Sequence, residues 1–309
     1  MSHDIYEVRD PRFEACINRD APLEKLWTGA VWSEGPVYSP AWRSVIWSDI
    51  PNDRRLRYCE LTGSVGEIRK GQDAYTNGST LDRQGRIVAC EHGTRSITRV
   101  EHDGSITTLA DQYDGKKLNS PNDVVVKSDD SVWFTDPFYG IISNHEGFEA
   151  PMEQDGRHVY RIDPSGEVTR VANDFTCPNG IAFSPDESEL FIVDTGATHF
   201  ESGEHHMRRF KVSEDGMSLS SGEVFAECEA GLFDGFRFDT DSRIWTSAFD
   251  GVHCFEPDGT LIGKIKVPEK TANVVFGGPN LARLYITSST SLYAVDLSVT
   301  GFWTGPKLS

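Results

Sequence analysis

The 309-residue chain has no run approaching the roughly 18 consecutive apolar residues of a membrane-spanning helix. Its start, MSHDIYEVRDPRFEACINRD, lacks the apolar core of a secretory signal, so a cytoplasmic protein without a membrane partner is expected. Positive charge is scarce: 30 Lys and Arg stand against 48 Asp and Glu, a net charge of −18. That balance argues against a nucleic-acid partner, because a phosphate backbone needs a basic patch. Six scattered cysteines with no C-x-x-C read as reduced and mostly buried thiols, not as a disulfide frame. The chain also lacks a G-x-S-x-G elbow and the strand–helix alternation around it, which excludes the common serine-hydrolase arrangement. His145-Glu146-Gly147-Phe148-Glu149 opens like a zinc-protease motif but ends in Glu and has no helical pattern.

Helical periodicity is nearly missing as well; Pro11–Asp20 could form one short helix. What is present is a repeat. VIWSDI, RIVACEH, SVWFTDP, ELFIVDT, RIWTSAF and RLYITSS are variants of one apolar strand. Each follows a turn and an earlier strand, and the earlier strands begin at Glu34, Asn77, Asn122, Asn179, Asp234 and Asn273. The intervals between these positions are 43, 45, 57, 55 and 39 residues. Such spacing suits four-stranded propeller blades, two of them carrying insertions. The last unit shows three strands, and LEKLWTG near residue 26 is placed to supply its fourth and close the ring. The expected fold is an all-β, six-bladed propeller of antiparallel four-stranded blades. It forms one domain, with residues 1–20 as an N-terminal extension and 21–309 as the propeller.

The innermost strand of each blade lines the channel, so equivalent positions lie at one level. That level reads Glu, Asn, Asn, Asn, Asp, Asn. In isolation the Asn179-Gly180 pair would be a hairpin turn. Its apolar continuation, Ile181-Ala182-Phe183, instead puts it where a strand begins. Two carboxylates among amide oxygens make an oxygen-only, doubly negative ring suited to a hard divalent cation such as Ca²⁺, Mg²⁺ or Mn²⁺. A purely structural polar ring is the competing reading.

Glu34-Gly35-Pro36, Ser120-Pro121-Asn122-Asp123, Phe134-Thr135-Asp136-Pro137, Cys177-Pro178-Asn179-Gly180 and Asp234-Gly235-Phe236 occur in this order at blade spacing. With them the chain, from about Trp32 to Val295, resembles the senescence-marker-protein/gluconolactonase family, which includes regucalcin, and its bacterial gluconolactonase branch in particular. The resemblance implies a six-bladed propeller with one divalent cation (Ca²⁺, Mg²⁺, Mn²⁺, Zn²⁺ or Fe²⁺) held by Glu34, Asn179 and Asp234. It also implies a sugar lactone as substrate, with Asn122 contacting it or serving as a fourth ligand. Ser120 stands where the animal branch has Arg, and Phe138-Tyr139-Gly140 offers no counterpart to that branch's pocket Glu.

Hydrolysis of an aldonolactone fits such a ring, with Asp234 both ligand and acceptor of the water proton. Asp49, His92, Asp136 and Asp194 follow ring residues by 14 or 15 positions, near the ends of second strands. They are candidates to contact substrate, His92 and Asp136 foremost, or to orient the ligands. Tyr139, a further candidate to contact substrate, belongs with His145 and Phe148 to an insertion, residues 138–157, that is a candidate lid selecting substrate over the mouth. His199, His205 and His206 could suggest zinc, but no helix fixes their spacing. Two rivals remain: a non-catalytic calcium-binding propeller, and another metal-dependent hydrolase, such as one acting on phosphotriesters or aromatic lactones.

Overall fold

In the computed structural model, which describes residues 5–306, every blade is an antiparallel sheet whose strands follow one another from the channel outward. Blade 1 comprises Ser33–Ser39, Ser44–Asp49, Arg54–Cys59 and Val65–Lys70. The innermost strands of blades 2 to 6 are Thr76–Leu81, Val124–Val126, Pro178–Phe183, Phe236–Phe238 and Thr271–Gly277. This is the six-bladed propeller that the repeat predicted.

Closure uses the two ends of the chain. Glu24–Thr28 pairs antiparallel with Ser291–Asp296, giving the sixth blade its outer strand, as LEKLWTG predicted. Glu269 braces this seam: its Oε1 accepts hydrogen bonds from Lys25 Nζ at 3.1 Å, Ser291 Oγ at 2.7 Å and Tyr293 OH at 2.7 Å.

The second strands of blades 1, 3 and 5 each bury a tryptophan completely: Trp47, Trp133 and Trp245. Facing sheets sandwich these strands, which explains their continuous apolar sequences. Residues 5–20 hold more structure than a short helix. Tyr6–Val8 adds a fifth strand to blade 5, with Tyr6 opposite Ile265 and Val8 opposite Gly263. A 3₁₀ turn, Pro11–Ala15, follows, and its Phe13 is fully buried over Gly263 and beside Trp245. A strand of three residues carries no readable periodicity. Among the described residues, no helix is long and apolar enough to cross a membrane, and all six cysteines are free.

Candidate functional site

The six ring residues lie within two positions of the start of the innermost strands, where the blades crowd toward the axis. The glycine after four of them is a consequence. A β-carbon on Gly180 would lie 2.0 Å from the Asp234 carbonyl oxygen, and one on Gly35 2.0 Å from that of Asn77. Gly78 is pressed in the same way against the Asn122 backbone of the next blade, and Gly235 against the Asn273 side chain. The Asn-Gly pair is therefore a close approach of neighbouring backbones and not a turn. In blade 3 the following residue is Asp123, and its carboxylate instead reaches Ile181 N of blade 4 at 3.4 Å.

Three carboxylates at second-strand ends hold the ring from behind. Asp49 Oδ1 accepts from the amides of Val31 (2.9 Å) and Trp32 (3.3 Å), three and two residues before Glu34. Asp136 accepts from Asn119 and Ser120, each at 2.8 Å, just ahead of Asn122. Asp194 accepts from Thr176 and Cys177, each at 2.8 Å, just ahead of Asn179. The expectation that Asp136 contacts substrate is corrected by this geometry. Asp136 is fully buried, both its oxygens serve backbone amides, and it does not line the cavity described below. Burial pushes its carboxyl up to about 7, and the two amide bonds oppose that rise.

At the mouth, Glu34 Oε1 accepts from Asn273 Nδ2 at 3.0 Å, while Asn273 Oδ1 turns back to Val274 N. Asn273 thus supports Glu34 and does not present its own oxygen. Glu34 Oε2, Asn179 Oδ1 and Asn77 Oδ1 are buried and have no hydrogen-bond partner. A buried acceptor without a partner costs roughly 1–3 kcal/mol, so three at one mouth call for a common explanation. Burial raises both Glu34 and Asp234 well above the usual carboxylate range; repulsion from Asp123 adds to it at Glu34, and repulsion from Glu34 and Asp123 adds to it at Asp234. Asn179 adjoins Asp234 and partly offsets the shift. Orphaned oxygens on Glu34 and Asn179 beside a destabilised second carboxylate fit a hard cation, which would satisfy the acceptors and the charge together. Among the described residues, no three His, Cys, Asp or Glu side chains gather into a cluster that could hold an ion, so any such site depends on the asparagines.

A cavity of about 350 Å³ opens above this level, lined by Asn122, Asn179 and Asp234 on its floor and by Trp32, Tyr139 and Glu146 among its walls. The 138–157 insertion roofs it. Tyr139 hydrogen-bonds Thr195 through its hydroxyl and packs against His199, 5.5 Å between ring centroids. Phe138 packs against His199 and Phe200, so the two insertions meet over the mouth. His199 is therefore part of an aromatic stack, while His205 Nδ1 faces the Cys228 carbonyl and His206 lies in a strand opposite Glu227; the three do not converge on a zinc site. His92, expected at the mouth, is completely buried beneath the roof. Its Nδ1 lies 3.1 Å from the Glu146 carbonyl and its Nε2 lies 3.2 Å from Asn77 Nδ2. Both contacts are satisfied by a neutral ring protonated at Nδ1, in keeping with burial, which lowers its pKa to about 4.

Glu146 is the residue that sequence reasoning missed. It appears there only within the rejected protease-like motif, and no other blade has an equivalent that could have flagged it.

Residues 32–290 match the SMP-30/Gluconolactonase/LRE-like region. A gluconolactonase of Zymomonas mobilis is 28% identical, over 94% of this chain and 85% of its own length. A pentonolactonase of Haloferax volcanii is 29% identical, over 83% of this chain and 81% of its own. A gluconolactonase of Xanthomonas campestris with a solved structure is 38% identical, covers 94% of both chains and superposes with a TM-score of 0.87. With motifs, blade order and overall fold in agreement, the chain belongs to the SMP-30/gluconolactonase family.

Proposed function

We propose that this protein is a lactone hydrolase that opens an aldonolactone to its aldonic acid, with one divalent cation held by Glu34, Asn179 and Asp234. The observation that carries the reading is the set of orphaned, buried oxygens of Glu34 and Asn179 beside Asp234, on the floor of a cavity sized for one sugar ring. The lactonases among its relatives support the substrate class. When bound, a divalent cation supplies polarisation of an ester carbonyl and offsets the negative charge that develops on its oxygen.

The chain's own residues account for the rest. Asp234 accepts the proton of the attacking water, a part for which its place on the cavity floor beside the ring suits it. A lactone is an activated ester, for which a carboxylate base suffices. Asn122, on the cavity floor, offers an amide to a ring oxygen or hydroxyl. Tyr139, its hydroxyl engaged by Thr195, presents its ring as a wall and with Phe138 and His199 excludes water from above. His92 is a positioning residue between roof and ring.

The test is base-titrated hydrolysis of D-glucono-δ-lactone and related aldonolactones by chelator-stripped protein. Single divalent cations are added back, with Asn179→Ala in parallel. Turnover that returns with metal and is lost in the variant is the expected result. Activity on phosphotriesters alone, or on nothing, would overturn the proposal in favour of another hydrolase or a binding propeller.

A further inference from the structure

Thr195 follows the last residue of the strand Glu189–Asp194, and the two neighbouring side chains part there. Asp194 turns to the amides behind the ring, while the buried Thr195 lines the cavity that Asn179 floors. Its backbone is pinned. Thr195 N donates to the Cys177 carbonyl at 2.9 Å, and Thr198 Oγ1 donates to the Thr195 carbonyl at 2.7 Å. Its hydroxyl meets three groups. Oγ1 lies 3.2 Å from the Cys177 carbonyl oxygen and 3.5 Å from Asn179 Nδ2, and it is hydrogen-bonded to the Tyr139 hydroxyl of the roof.

We infer that Thr195 is a positioning residue that fixes which way the Asn179 amide faces, and that Tyr139 holds it to that task from the roof. The inference rests on the proposed cation site of the lactonase reading and deepens it. A hydroxyl has one proton and two lone pairs. A carbonyl only accepts, so the contact with Cys177 takes the Thr195 proton. Oγ1 is left with acceptor capacity alone, which the Tyr139 O–H fills from the roof and the Asn179 N–H fills from the ring. An amide held by its nitrogen presents its oxygen on the other side, and Asn179 Oδ1 is the buried oxygen left over at the mouth. The reversed amide would set its oxygen against a hydroxyl whose proton is already engaged, and would turn two N–H donors toward the cation. With the Tyr139 proton directed at Oγ1, the Thr195 proton stays on Cys177. Asn77 shows the same construction in another blade. Its Nδ2 lies 3.2 Å from His92 Nε2, its Oδ1 is likewise buried at the mouth, and His92 reaches the roof through the Glu146 carbonyl. His92 and Thr195 follow their asparagines by 15 and 16 residues, so two ring amides are each tethered by the nitrogen to a side chain that also touches the roof.

The experiment is calorimetric titration of Ca²⁺ and of Mn²⁺ into chelator-stripped wild type, Thr195→Val, Thr195→Ser, Tyr139→Phe and the double variant Thr195→Val/Tyr139→Phe. Valine keeps the shape of threonine without its hydroxyl, so Thr195→Val should weaken cation binding about 10–100-fold, as loss of an outer support does. Thr195→Ser returns the hydroxyl and should return the affinity. Tyr139→Phe keeps the ring wall and loses only the O–H; it should weaken binding about 2–10-fold, the net worth of one hydrogen bond. In the double variant the Tyr139 change should add nothing, since it acts through Thr195 alone. A wild type that binds cation with affinity unchanged in Thr195→Val, or lost there and not regained in Thr195→Ser, would overturn the inference while leaving the cation reading intact. If Thr195→Val does not fold, Tyr139→Phe decides from the roof side, and undiminished affinity there overturns the inference. A wild type that binds neither cation overturns the cation reading, and the inference with it.

Discussion

The carboxylate of Asp194 accepts a 2.8 Å hydrogen bond from the amide of Cys177, two residues before Asn179 in the neighbouring strand. Asp136 and Asp49 repeat the arrangement behind Asn122 and Glu34. A buried carboxylate that gathers two successive amides fixes the backbone leading into each ring residue, and so fixes where its oxygen points. Asp194→Asn keeps the shape but replaces one acceptor oxygen with a donor that faces an amide. Cation affinity should fall by about 10–100-fold, the usual effect of removing an outer support. Thermal stability should fall too, and Asp136→Asn should weaken Asn122 without touching cation affinity. Calorimetric titration of both variants checks this; equal affinities in wild type and Asp194→Asn would refute it.

Gly180 sets a second constraint on the same asparagine. Its missing β-carbon would sit 2.0 Å from the Asp234 carbonyl oxygen, in backbone that cannot move without opening blades 4 and 5. Gly180→Ala should therefore cost about 1–3 kcal/mol or more, as overpacking does, and separate Asn179 from Asp234. Gly66→Ala is the matched control: it lies in the outer strand of blade 1, where nothing stands within 4 Å of a new β-carbon. Urea midpoints and cation affinities of the two variants check the prediction; a Gly180→Ala protein as stable as Gly66→Ala would contradict it.

These cases show why some of the site was readable in advance and some was not. The level of Glu34, Asn179 and Asp234 repeats in every blade, so symmetry reports it even though each residue alone says little. Spacing gives height but not direction. Asp136 is read from its spacing as a substrate contact, because nothing in fourteen residues of separation from Asn122 tells whether a carboxylate faces the channel or the backbone. Glu146 belongs to an insertion found in a single blade, where periodicity is silent. Tyr6–Val8 is too short to carry alternation, and its pairing is decided by a free edge at Leu261–Lys266.

Glu269 gives the closure seam a pH dependence whose sign is fixed by its partners. Burial alone would raise its carboxyl. Hydrogen bonds from Tyr293 and Ser291, the Thr290 amide and Lys25 outweigh that and hold it down at about 2. A group depressed on folding contributes stability that is fully present above its unfolded pKa, near 4.5, and is lost as pH falls toward about 2. The contribution is on the order of 2 kcal/mol, because the side chain is only 18% exposed but still partly screened. Glu269→Gln should be less stable at pH 7 and lose less on acidification between pH 4.5 and 2. Denaturant midpoints across that range check it; parallel profiles for the two proteins would remove Glu269 from the account.

The two ring carboxylates should separate by function. Glu34 presents one orphaned oxygen and has its other on Asn273, so its part is to hold charge and not to move a proton. Glu34→Gln should lose cation affinity by at least about 100-fold, the size of a removed charged contact in a buried site, and recover turnover when cation is raised to saturation. Asp234 is asked to do both. Asp234→Asn should also bind cation more weakly, but saturation should leave kcat reduced by about 10²–10⁴-fold, the range for loss of a positioned base. Turnover against cation concentration for both variants distinguishes them. If Asp234→Asn recovers fully at saturation, the proton goes elsewhere, and Asp234 is a ligand alone.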